Sequence, residues 1–125
     1  MKRPDRDAGK SQILAFAKAW VALAASDCFE AALAELEPNR KVPWSQAFLD
    51  ELTFDHFGDG QQPRITDPTC VKDLRIEAYE YNDGSGFAVD HDLPLDGKRS
   101  DFTVQLDFRK GPAEYLVYLD DIHIL

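Results

Sequence analysis

From Leu74 to Leu125 apolar and polar residues alternate in four runs separated by turn-forming residues; before Leu74 apolar residues recur three and four positions apart. A period of two is that of a half-buried strand, and a period near 3.6 that of a helix lying on a core. The chain therefore reads as helices first and strands afterwards. Ser11 can cap a first helix running to about Ala25, with Ile13, Leu14, Phe16, Ala17, Trp20 and Val21 on its inner face. Asp27 and Glu30 have the spacing of a capping box and restart the helix, Phe29, Ala32, Leu33 and Leu36 facing inward until Pro38 and Asn39 end it. Ser45 is placed to cap a third helix, with Trp44 just before it packing on Leu49 and with Gly58 and Gly60 at its exit.

The strands are expected at residues 74–81, 87–93, 101–109 and 114–125. Asn82-Asp83-Gly84-Ser85-Gly86 joins the first two as a hairpin, Pro94 to Ser100 forms a longer turn, and Lys110 to Ala113 turns into the last strand. Antiparallel pairing follows for 74–81 with 87–93 and for 101–109 with 114–125. In the third strand Phe102, Val104, Leu106 and Phe108 share one face, while Asp101, Thr103, Gln105, Asp107 and Arg109 share the other. One covered and one wet face is the signature of an antiparallel sheet with helices on one side. Strict alternation makes the last strand apolar on both faces, Leu116, Tyr118, Ile122 and Ile124 against Tyr115, Val117, Leu119 and Leu125. Between helices and strands, Gln61 to Cys70 reads as loop, with a short extended piece at Arg64-Ile65-Thr66.

The fold class expected is α+β, N-terminal helices packed on a curved antiparallel sheet of about four strands. At 125 residues the chain is one domain, 11–125, after a polar segment, 1–10, read as flexible. The net charge of −9 disfavours nucleic acid and favours a basic partner protein. There is no apolar run of membrane-spanning length and no apolar stretch beside the N-terminal basic residues, so neither a membrane span nor a signal peptide is expected, and a cytoplasmic location follows. Two cysteines, Cys28 and Cys70, are too few for a disulfide framework, and Cys28 is read as a buried thiol.

Helices followed by a long curved antiparallel sheet resemble the nuclear transport factor 2-like superfamily, whose cystatin-like cone holds a pocket between helices and sheet. Within it the chain is similar to small bacterial members. The resemblance rests on Ala25-Ser26-Asp27-Cys28-Phe29-Glu30-Ala31-Ala32-Leu33, on Leu93 to Thr103 and on the closing Leu119-Asp120-Asp121-Ile122-His123-Ile124-Leu125. It implies a cone-like scaffold used by isomerases and dehydratases, by scaffolding domains and by immunity proteins that neutralise toxins. No position matches a catalytic acid or base of the enzymatic members.

Candidate chemistry is sparse. His91 alternates with Phe87, Val89 and Leu93, which places it toward the core or the cone pocket, where an imidazole can act as a base. His123 and Asp121 share a strand face but stand about 7 Å apart in a regular strand, so their pairing requires a bulge at Asp120-Asp121. His56, His91 and His123 form a metal centre only if they converge, and no metal-ligand spacing is present, so neither metal nor cofactor is expected. The candidate binding residues are Trp20, Trp44, Phe87 and His91 for a pocket and Asp101, Gln105 and Asp107 for the sheet face. These readings point to a non-enzymatic binding protein, of immunity or accessory type, with a basic partner. The alternative is a small-molecule-binding protein or an isomerase-like enzyme using the pocket. The two-faced final strand adds the expectation of a homodimer.

Overall fold

The computed structural model describes residues 1–58 and 63–124, so the expectations resting on Gly60, Gln61, Gln62 and Leu125 lie outside the described residues. Three helices, α1 (Lys10–Ser26), α2 (Phe29–Ala34) and α3 (Gln46–Phe57), precede four strands, β1 (Ile76–Glu80), β2 (Gly86–Leu95), β3 (Lys98–Lys110) and β4 (Tyr115–Ile124). The strands form one antiparallel sheet in the order β1-β2-β3-β4, curved and unclosed. This is the α+β class that the periodicity predicts.

The helical residues expected to face inward do so. Ile13, Phe16, Ala17, Trp20, Val21 and Ala24 of α1 are buried, and Phe16 meets Phe108 of β3 edge to face at 5.8 Å. Trp20 is a pin between helices rather than a pocket wall: it is 1% exposed and its Nε1 donates to Ala32 O at 2.7 Å. Ser45 caps α3 as expected, accepting from Phe48 N at 3.0 Å. The ring of Trp44, however, packs edge to face on Phe48. The α2 cap is Cys28, whose Sγ accepts from Ala31 N at 3.3 Å. That explains why this thiol is exposed and not buried, as is Cys70. Asp27 instead ends α1, and Glu30 turns away to accept from Gln46 N at 2.6 Å, so it caps α3 and not its own helix.

The segment 94–100 is not a long turn. Residues Asp96 and Gly97, with φ of 50° and 77°, form a two-residue hairpin of the kind whose twist matches its strands. Pro94 fits inside β2 because its backbone faces away from β3, its carbonyl accepting from Thr66 N at 2.9 Å, so the N–H that proline lacks costs no bond to β3. The expected extended piece at Ile65 bridges Leu95. The segment 1–10, read as flexible from its composition, lies against β4: Tyr115 N donates to Pro4 O at 2.9 Å and Arg6 N to Ala113 O at 3.2 Å.

A bulge reshapes β4. Gln105 pairs with Asp121 but Leu106 pairs with Leu119, so Asp120 is an extra residue without a partner on β3. One extra residue exchanges the two faces of the strand beyond it. Tyr115, Val117, Leu119 and Ile122 therefore all turn inward and are buried, and Ile124, paired with Phe102, lies on the same face but is 49% exposed at the strand end. The outer face keeps Leu116 and Tyr118, followed by Asp121 and His123. The strand is thus not apolar on both sides along its length, and the reason for expecting a homodimer through β4 disappears.

Leu106, 1% exposed and central in β3, should show a cavity cost of about 2–5 kcal/mol on Leu106→Ala in urea melts. Gln105→Ala, on the opposite face, should cost no more than about 1 kcal/mol.

Candidate functional site: the outer face of the sheet

Direct cross-strand partners share a face, so the register defines what the sheet presents away from the helices. One row runs Glu77, Asp90, Gln105, Asp121 and crosses all four strands. Gln105 Nε2 donates to Asp90 Oδ1 at 3.0 Å, and Arg75 Nη1 lies 3.5 Å from Asp90 Oδ2 and 3.6 Å from Glu77 Oε2. The Tyr79 hydroxyl bonds Glu77, which raises the phenol pKa above its ordinary value. The next row is Asp92, Thr103, His123. Asp92 is a carboxylate only 1% exposed, and a buried charge is tolerated only when paired. Its Oδ2 accepts from Arg75 N at 2.7 Å and lies 3.1 Å from Arg99 Nε.

On the other side of the acidic row stand Asp107 and Tyr118, then Arg109 and Leu116. Asp107 accepts from the Tyr81 hydroxyl at 2.6 Å and from Arg109 Nε at 3.0 Å, and the guanidinium lies 4.9 Å from the centre of the Tyr81 ring. Burial, then the bond to Asp107, raises the Tyr81 pKa, and the same carboxylate raises that of Arg109. Asp107, Arg109, Tyr118 and Asp120 form one wall of a groove of about 570 Å³ whose other wall is the loop from Glu37 to Lys41.

The residues singled out from the sequence separate. Gln105 and Asp107 belong to this face. Asp101 is exposed and points its carboxylate to His56 Nε2, 3.4 Å away, where the imidazole stacks edge to face on Phe102. His123 Nδ1 lies 3.3 Å from Asp121 Oδ2 within a regularly paired stretch, so the approach does not need the expected bulge between them, and it makes no hydrogen bond. His91, Trp20 and Phe87 are buried in the core and line no site on the outer face. Trp44 is half-buried and its Nε1 donates to Leu119 O at 2.8 Å. The three histidines do not come together, and among the described residues no group of three His, Cys, Asp or Glu side chains is arranged to hold a metal. The sequence reading passed over Arg75, Asp90, Asp92 and Arg99. Their signal was present: the alternation that turns His91 inward turns Asp90 and Asp92 outward.

His91 is 0% exposed. Its Nδ1 lies 2.6 Å from Asp92 O, a pure acceptor, so Nδ1 carries the proton and Nε2 keeps a lone pair that meets no donor among the described residues. Burial lowers its pKa below 6.5, opposed by the Asp92 carbonyl and carboxylate and helped by Lys18.

These features define a class: a helix-backed α+β domain whose open surface is a networked polar sheet face. The family follows from the sequence. A family model described as a domain of unknown function, DUF7668, matches residues 25–125, and the chain belongs to that family. The match contains every residue of the outer face. No curated protein and no solved structure matches the chain. No helix among the described residues is long and apolar enough to cross a membrane.

The histidine gives a pH test. Because its folded-state pKa is depressed, the unfolded chain binds the proton more tightly. Its stabilising contribution is full above about pH 6.5 and is lost as the pH falls toward the lower folded-state value. Wild-type protein should lose stability between about pH 7 and pH 5, and His91→Leu should flatten that slope in denaturant melts.

Proposed function

We propose that the protein is a non-enzymatic binding protein that docks a basic partner protein on the outer face of its sheet. The observation that carries this reading is the row Glu77, Asp90, Gln105, Asp121, which spans four strands on the side opposite the helices. Arg75 is shared among Glu77, Asp90 and Asp92, so the acids outnumber the cations that neutralise them. Asp120 and Asp121 at the bulge have no Lys or Arg partner among the described residues, and the chain as a whole carries −9. Such a surface raises the association rate of a positively charged partner and selects against acidic ones. A cytoplasmic immunity or accessory protein on a cone of the nuclear transport factor 2-like kind is the concrete form of the proposal.

The second reading is a small-molecule-binding protein or isomerase-like enzyme with His91 as the base. It is favoured by one observation, the unpartnered Nε2 of His91. It is weakened by another, that the imidazole is sealed from solvent among core side chains.

The two readings separate by mutation. Partner captured from the native host should be lost in the double variant Asp90→Lys, Asp121→Lys and kept in His91→Leu. The opposite pattern rules out the sheet face as the binding surface.

A further inference from the structure

At the end of the sheet where the β1–β2 hairpin lies, the layer between α1 and the strands is left unfilled. Register places Ala78, Glu80, Phe87, Lys110 and Tyr115 on the helix face there. The chain that crosses above them from Asp7 to Lys10 is short of bulk too, with Ala8 and Gly9. A cleft of about 500 Å³ results between this crossing and the sheet. Its floor is apolar, formed by Ala78, Phe87 and the ring of Tyr115, which stands 6.2 Å from that of Phe87. Its rim favours an anion. Helix α1 starts there, its N-cap Gly9 has no side chain to cap with, and its first turn has no acid. Gln12 Oε1 accepts from Gly9 N at 2.7 Å, which leaves the N–H groups of Lys10 and Ser11 without an acceptor among the described residues. The cations of Arg6, Lys10 and Lys110 line the cleft and have no carboxylate within ion-pair distance among the described residues. Tyr115 is an independent sign. It is only 1% exposed, yet its hydroxyl has no hydrogen-bond partner among the described residues. The charges that act on that hydroxyl belong to Glu80, Asp7 and Arg6, all of which line the cleft, so the hydroxyl lies at the cleft floor. Burial, then Glu80 and Asp7, raise its pKa against Arg6, so it keeps its proton and is free to donate.

We propose that this cleft binds a small organic carboxylate, with its charged end at the α1 N-terminus beside Lys10 and the Tyr115 hydroxyl and its apolar body on Phe87 and Ala78. Asp7 and Glu80 also line the cleft, so three cations stand against two acids, and the helix end and the hydroxyl donor tip the balance further toward a negative group. In a chain carrying −9 such a balance is local to this end of the sheet. The apolar floor selects an organic body. Inorganic phosphate gains nothing from that floor and gives up more hydration on entering. The volume is in the range of small-molecule sites. The cleft lies on the helix side, away from the acidic outer face, so its occupancy does not depend on a partner docked there.

Amide NMR titration of the full chain tests this, with benzoate, benzylammonium and inorganic phosphate as probes and thermal melts as the folding control. Benzoate should shift the Lys10 and Ser11 amides saturably in about the millimolar range, and the other two probes should bind at least about tenfold more weakly. Tyr115→Phe should weaken benzoate binding by at least about tenfold, the loss of one hydrogen bond to a charged group. Lys10→Glu separates binding from folding. An acid in the first turn complements the helix end, so the melting temperature should hold or rise while benzoate binding is lost. Absence of a saturable shift at these amides overturns the proposal, as does benzoate binding that is unchanged in Lys10→Glu or in Tyr115→Phe. Phosphate bound as tightly as benzoate means an adventitious ion only and overturns it too. Tighter binding of benzylammonium does the same, because Asp7 and Glu80 would then govern the cleft.

Discussion

The structure depends on how β4 is finished. As an edge strand it has one neighbour, β3, and its other side would leave a row of backbone groups unpaired beside an apolar core. Each group buried without a partner costs about 1–3 kcal/mol. Two distant parts of the chain supply partners, the N-terminal segment and the connection between α2 and α3. Pro4 accepts from Tyr115 N, Glu37 N donates to Val117 O at 2.8 Å, and Asn39 Nδ2 and Trp44 Nε1 both donate to Leu119 O. The N-terminal segment and the α2–α3 connection are fixed by this need and not by their own propensities. The loop Glu37 to Lys41, held there, then becomes a wall of the groove on the outer face.

The bulge at Asp120 is the second half of the same solution. Without it, strict alternation would turn Ile122 and Ile124 outward. With it, apolar residues stay on the helix side and Asp121 and His123 join the acidic face. One unpaired residue thus sets both the completeness of the core and the charge of the surface. Asp92 makes the parallel case on β2: it is outward by parity, yet buried because Arg75 and Arg99 close over it.

Much of the fold was legible. The helical spacing of Ile13, Phe16, Trp20 and Ala24, and the alternation from Phe102 to Phe108, report burial directly because each element buries one face. The Ser45 cap was legible because one hydroxyl serves one nearby N–H. What escaped depends on long-range contact. Glu30 looked like its own helix's cap, but a carboxylate is satisfied equally by Gln46 N, sixteen residues on. Pro94 looked like a turn because a proline is tolerated in a strand only where the missing N–H would face away from the neighbouring strand, which depends on a register that local sequence does not show. For the candidate site, Gln105 and Asp107 were legible from parity, whereas the burial of Asp92 depends on two arginines separated from it in the sequence. His91 was correctly turned inward, but a period-two pattern does not distinguish a pocket wall from a sealed core position.

The central claim is that residues outside the sheet seal the β4 edge by specific hydrogen bonds. Amide hydrogen exchange read by NMR tests it residue by residue. Glu37 N–H, Tyr115 N–H and the Trp44 indole N–H should exchange as slowly as amides in the middle of β3, because they open only when the sheet opens. Exchange of Glu37 N–H and the Trp44 indole at the rate of exposed loop groups would contradict the account.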